Sequence, residues 1–239
     1  MAIVLVIIGV LSGMMLPLMT LQRQHDNITR TRTHQDYVMH ALGGYLLQHK
    51  QLPCPADPVA VSSEFGIGKE SLTQGIIPFR TLGIPEKWAR DGFGHYMTYV
   101  PERSLLDDKH EDLCKPKEGI LKLIDKRGNP ALAPDPLHPQ PIAVILISHG
   151  PEGRGAYLAN GSASRIRVSE LTGSKLENAN NDFVFSEHVK STEENYDDII
   201  LWAAFYPFMA YYAKKTCDIE QKSAGSSKSG REDLTREKL

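Results

Sequence analysis

The chain predicts an α+β protein in which one long N-terminal helix is laid on a small, mostly antiparallel sheet. Three observations carry that expectation. Residues 21–50 hold no proline, and Val38, Ala41, Leu42, Tyr45 and Leu46 recur at the i, i+3, i+4, i+7, i+8 spacing of an amphipathic helix. Ile142-Ala143-Val144-Ile145-Leu146-Ile147-Ser148 is continuously apolar up to its serine, as expected of a strand covered on both faces. Between these segments, glycine and proline punctuate short β-branched and aromatic runs.

The helix starts early. An unbroken apolar run over residues 2–19 passes into the amphipathic segment with nothing to stop a helix between Met19 and Gln22. The two join into a single rod about 70 Å long at the standard rise of about 1.5 Å per residue. Leu52-Pro53-Cys54-Pro55-Ala56-Asp57-Pro58 ends it, because closely spaced prolines cannot continue a helix. The apolar run is just long enough to cross a hydrocarbon core about 30 Å thick. The expected organisation is therefore a transmembrane half at 1–21, an amphipathic half at 22–50, a head domain at 51–213 and a disordered polar tail at 214–239. A cleaved secretory signal is the competing reading; it calls for a basic start and a small-x-small cleavage site, and Ser12-Gly13-Met14 offers only a poor one. Arg23, Arg30 and Arg32 flank the run on its C-terminal side, which taken literally would leave the head in the cytoplasm.

The remaining elements follow in order. Asp91-Gly92-Phe93-Gly94 signals a turn into the strand Tyr96-Met97-Thr98-Tyr99-Val100, closed by Pro101. Residues 119–125 have similar strand character. Residues 160–195 read as a polar surface insertion with one short strand, Phe183-Val184-Phe185. The aromatic segment from Asp197 to Ala213 is too short for a second membrane span and holds Pro207, so it predicts a packed strand or helix.

Composition and motifs narrow the function. With 27 basic against 29 acidic residues there is no electrostatic footprint for nucleic acid. Three cysteines without C-x-x-C spacing argue against thiolate zinc or a redox pair. Outside the cytoplasm one disulfide becomes plausible, with Cys54 and Cys114 the preferred pair because both sit in proline-punctuated loops; three unpaired thiols are the other reading. Ser148-His149 with Asp197 supplies the residue types of an acyl-transfer triad, but adjacent residues at a strand end point in different directions and no G-x-S-x-G elbow occurs. The turn Gly150-Pro151-Glu152-Gly153-Arg154-Gly155 lacks the lysine of a phosphate loop, and His34, His40 and His49 lack metal-binding spacing. The expectation is no catalysis.

Several segments, in order, resemble the type IV pilin and type II secretion pseudopilin family. Residues 1–17 are similar to the family's N-terminal helix just after its signature glutamate, proline included. Asp91-Gly92-Phe93-Gly94-His95-Tyr96-Met97-Thr98-Tyr99 resembles the D-P-W-G-x-x-Y-x-Y strand entry. Ser148-His149-Gly150-Pro151-Glu152-Gly153 and Asp198-Ile199-Ile200-Leu201-Trp202 resemble the S-x-G-x-D-G loop and D-I-x-x-W end, and Gly75-Ile76-Ile77-Pro78-Phe79-Arg80-Thr81-Leu82-Gly83 resembles a segment of prepilin-like proteins. The family's basic leader, cleavage-site glycine and glutamate are missing from the resemblance, which begins one residue past where that glutamate would stand. An internal Met1 with the leader encoded upstream is the expectation, and a degenerate copy is the other possibility.

The resemblance implies a structural subunit that polymerises with other pilin or pseudopilin subunits, assembled at an inner-membrane platform. It would be held in membrane lipid as a single-pass inner-membrane protein, with its head in the periplasm or in an extracellular filament. Gly9 and Gly13 form a small-x-x-x-small pair for helix packing, and Pro17 is expected to kink or loosen the helix. Glu152, Asp197 and Asp198 are candidate calcium ligands, with Asn180-Asn181-Asp182 as further donors; solvated turn residues are the plainer reading of the same carboxylates. The alternatives from other classes are a membrane-anchored periplasmic binding module and a tethered hydrolase using Ser148 or His149.

Overall fold

The computed structural model describes residues 2–106, 113–115, 119–125, 127–131, 141–157, 165–187 and 196–217, with the side chains of the first helix described from Met19 onward. That helix, α1, runs Ala2–His49 without interruption, as one rod. It stops where Lys50 turns to a φ of 63°, in the left-handed region, just ahead of the prolines. Its buried seam is Thr31, Gln35, Val38, Met39, Leu42, Gly43 and Leu46, while Ala41 and Tyr45 of the expected stripe are only half-buried. The stripe is thus rotated slightly and extended toward the N-terminus by two polar members.

Among the described residues no helix is long and apolar enough to cross a membrane. This overturns the expectation of a single-pass inner-membrane protein. Between Arg23 and Asp36 of α1, Arg23, Asp26, Arg30, Arg32 and Asp36 set a charge on every turn, and ionised side chains are costly in hydrocarbon.

The α+β class with a small antiparallel sheet holds. The strands are β1 Gly75–Ile76, β2 Thr98–Pro101, β3 Lys122–Ile124, β4 Ile142–Ser148, β5 Val184–Ser186 and β6 Ile199–Ala204. The main sheet has the order β1-β2-β4-β6, antiparallel throughout, with a register shift between Ile142 and Val144. A separate two-stranded sheet pairs β3 with β5 in parallel. β4 is buried at all seven residues because both its faces are covered. Val144 and Leu146 share one core with Val38, Met39, Leu42 and Leu46 of α1, while Ile145 and Ile147 share a second with Val100, Leu121, Leu123 and Phe185. Part of the stretch expected to be surface insertion therefore forms a third layer, to which the short helix α2, Gly173–Glu177, and β5 both belong.

β6 leads into α3, Phe205–Pro207, and a π-helical turn, Phe208–Tyr212, so the C-terminal aromatic segment is both strand and helix. The turn rests directly on α1, where a Cβ on Gly43 would lie 2.5 Å from the Tyr212 carbonyl carbon.

The disulfide joins Cys114 to Cys217, with Cα atoms 5.3 Å apart, and corrects the expected Cys54–Cys114 pair. Cys54 instead packs, half-buried, against the α1 core. The partner comes from the chain just past the π-helical turn, which the packing on α1 carries to Cys114. Residues 214–217, expected to open a disordered tail, are thereby tied down; 218–239 lie outside the described residues. Cys217→Ser is expected to lower the unfolding free energy by about 2–4 kcal/mol, the usual effect of losing one native bridge, here one that closes a sequence separation of 103 residues. Urea unfolding with and without reductant measures it, and reductant should leave the variant unchanged.

Candidate functional site

One end of the main sheet gathers the polar groups that the apolar core excludes. The Asp91-Gly92-Phe93-Gly94 turn is built by its own carboxylate, whose Oδ1 accepts from the backbone N–H groups of Phe93 and His95, both at 2.9 Å. Its Oδ2 accepts the hydroxyl of Ser148 at 2.7 Å, joining the turn to the end of β4. The turn also docks on α1: Gly92 N–H donates to Thr31 Oγ1 at 2.9 Å, and that hydroxyl donates to the Asn27 carbonyl at 2.8 Å. Gln35 extends the link, its amide donating to the Ile199 carbonyl at 2.8 Å.

The residue after Ser148 takes different partners. His149 is hydrogen-bonded through Nε2 to Thr98 Oγ1 at 3.1 Å, and its Nδ1 stands 3.7 Å from Asp198 Oδ1, both side chains fully buried. Asp198 Oδ2 accepts from Asn178 Nδ2 at 2.9 Å. Arg165 closes the cluster: its guanidinium stacks on Tyr157 and donates to the Gly155 carbonyl at 2.8 Å and the Tyr157 hydroxyl at 3.0 Å. Burial pulls the Arg165 guanidinium below its usual range and pushes the Tyr157 phenol up.

Ser148 and His149 are thus brought close in the fold but committed separately, Ser148 to Asp91 and His149 to Thr98. A triad needs the nucleophile hydrogen-bonded to the base, and the described hydrogen bonds do not join these two. Asp197 faces elsewhere.

The candidate calcium ligands divide into two sets. Glu152 and Asp197 converge, but on an ammonium group: Lys175 Nζ pairs with Asp197 and lies 3.7 Å from Glu152 Oε2. Asp198 points into the buried cluster instead. Burial pushes the Asp197 carboxyl above its ordinary range, with Lys175 pulling the other way. Among the described residues no three His, Cys, Asp or Glu side chains gather as metal ligands. Of the suggested extra donors, the Asn180 amide and the Asp182 carboxylate bond to each other. Gly9, Gly13 and Pro17 lie on α1, where side chains fall outside the described ones.

A groove of about 710 Å³ opens beside this cluster, between Ile28, Thr29 and Arg32 of α1 and Tyr196, Asp197 and Ile199 at the start of β6. Thr98, Arg165, Asn178 and Gln35 were not among the expected site residues. Two of them left a trace in the sequence. Thr98 interrupts an otherwise apolar strand run, and Gln35 falls on the seam's own spacing, three residues before Val38. Arg165 and Asn178 lie in a polar stretch where nothing distinguishes a buried side chain from a solvated one.

Compared with protein-family models, with curated proteins and with solved structures, the chain matches none.

Proposed function

We propose that the chain is a structural subunit of a pilin-like filament, polymerising through its apolar N-terminal helix. What supports this reading is the division of labour along α1. Residues 31–46 bury a seam against the sheet, whereas Met19 and Leu21 stand 53% and 63% exposed at the end of an uninterrupted apolar run, residues 2–19. An apolar sequence of that length calls for cover by another apolar surface, and the Gly9 and Gly13 spacing suits close approach by a second copy of itself.

A second support is that segments carrying the family resemblance, far apart in sequence, meet at one end of the sheet. Asp91 bonds Ser148, and His149 faces Asp198. In this reading the head is a rigid cap whose polar loops are displayed on the filament surface, and it performs no chemistry.

Sedimentation velocity of the full chain tests the proposal. The unaltered protein is expected to form large, concentration-dependent assemblies. Ile8→Lys, which puts a charge into the apolar run, is expected to weaken association by at least about 100-fold. Identical, monomeric sedimentation of both proteins would refute it.

A further inference from the structure

We propose that the flank of α1 carries a shallow binding site for an uncharged sugar ring, stacked on Tyr37 and hydrogen-bonded to Asp36. A cleft of about 360 Å³ opens there, lined by none of the residues of the polar cluster, between Thr33, Asp36, Tyr37, His40 and Ala41 of α1 and Trp88 of the short helical turn Glu86–Ala89. The helical repeat produces this set. Thr33, Tyr37 and Ala41 stand in one row at i, i+4, i+8, and Asp36 and His40 stand in the next. The first row supplies a hydroxyl, an aromatic ring and a small floor; the second supplies a carboxylate and an imidazole.

The aromatic ring is held in place and left uncovered. One face of Tyr37 lies against the indole of Trp88, with centroids 4.1 Å and planes 16° apart, yet the residue is 40% exposed. Trp88 is fixed in turn by His34, whose ring meets it edge-on at 4.8 Å and whose Nδ1 lies 2.7 Å from the Arg90 carbonyl. What Tyr37 offers to the cleft is therefore its other face and its edge. Beside it, the half-exposed Asp36 carboxylate has Oδ2 3.8 Å from His40 Nε2. Asp36 also neighbours Tyr212, whose phenol is pushed up to about 12, chiefly by burial and then by that carboxylate.

Charge decides the class of guest. Among the lining residues Asp36 supplies the fixed charge, which disfavours an anion. The rings around the cleft already carry the chain's own cations: Lys87 Nζ lies 5.2 Å from the Trp88 centroid, and Lys214 Nζ lies 4.8 Å from that of Tyr211, the ring next to His40. These ammonium groups disfavour a second cation. A purely apolar guest would strip water from Asp36, Thr33 and His40 and return no hydrogen bond. What fits is an uncharged molecule with an apolar face and a rim of hydroxyls. A pyranose has both. Its C–H groups lie on the negative face of an aromatic ring, and its hydroxyls donate to a carboxylate and exchange hydrogen bonds with a hydroxyl and an imidazole. The site occupies residues 33–41 of α1, clear of the apolar run at 2–19, so it stands whether or not the chain polymerises.

Saturation-transfer NMR of the full chain with methyl β-glucoside, methyl β-galactoside and N-acetylglucosamine, each at up to about 50 mM, tests the site. At least one of these sugars is expected to bind with a dissociation constant of about 1–10 mM, the strength suited to a shallow site with one stacked ring. Tyr37→Ala and Asp36→Asn should each weaken that binding by about tenfold, and Tyr37→Phe, which keeps the ring, should retain it. Ala41→Phe removes no contact and fills the cleft, so it should abolish binding. Failure of all three sugars to bind, undiminished binding by Ala41→Phe or Tyr37→Ala, or binding of free arginine in place of the sugars would overturn the proposal.

Discussion

Phe185→Ala is expected to lower the unfolding free energy by about 4 kcal/mol, as deletion of a fully buried aromatic ring does. Phe185 is 1% exposed and sits in the second core with Val100, Leu121, Leu123, Ile145 and Ile147. It is the largest side chain that β5 places under the main sheet, so its loss uncovers the face of β4 turned away from α1. Leu176 on α2, 39% exposed, serves as the control: Leu176→Ala should change stability by less than about 0.5 kcal/mol. Urea midpoints measure both. A Phe185→Ala cost under about 1 kcal/mol would mean that the β3–β5 layer is not part of the folded core.

Gly92→Ala is expected to be of similar severity, about 4 kcal/mol, for a different reason. A Cβ at Gly92 would stand 2.0 Å from the Asn27 carbonyl oxygen and 2.7 Å from its carbon. Both obstacles belong to the backbone of α1, so no rotamer change relieves the overlap and the turn must lift off the helix. Lifting it breaks the Gly92–Thr31 bond and disturbs the Asp91–Ser148 bond that fixes the end of β4. Gly44, five residues before the end of α1, has nothing within 4 Å of its Cβ position. Gly44→Ala should therefore stabilise the protein by up to about 1 kcal/mol through helix propensity alone. Thermal unfolding of the pair separates close approach from backbone freedom: a mild Gly92→Ala would show that the turn is not docked as described.

Much of the fold could be read locally. β4 spans the seven residues that the apolar run Ile142–Ser148 implied, because a strand buried on both faces needs no alternation and advertises itself by composition. The end of α1 was equally plain, since the prolines leave little choice. What was hidden depends on contacts between distant segments. The pairing of β3 with β5 is parallel and joins runs about sixty residues apart, and neither run says which other it will meet. Cys217 looked like tail because its neighbours are polar, yet the packing of Phe208 and Met209 against the α1 core brings it to Cys114. The membrane expectation rested on the apolar composition of residues 2–19, whereas among the described residues no helix is long and apolar enough to cross a membrane.

The candidate site was half legible. Ser148, His149, Asp197 and Asp198 stood out as chemistry-bearing types beside a glycine-rich turn, and they do collect at one end of the sheet. Their partners did not stand out. A lysine between Glu152 and Asp197 takes the place expected for a cation, and Lys175 lies in a stretch with no motif.

Electron cryo-microscopy of whatever the full chain assembles into bears most directly on the proposed function. A pilin-like filament requires density for the residue 2–21 portion of α1 packed helix against helix at the centre, with the α+β heads on the outside. Assemblies held together by head-to-head contacts, with that helix at the periphery, or a chain that remains monomeric at every concentration, would contradict it.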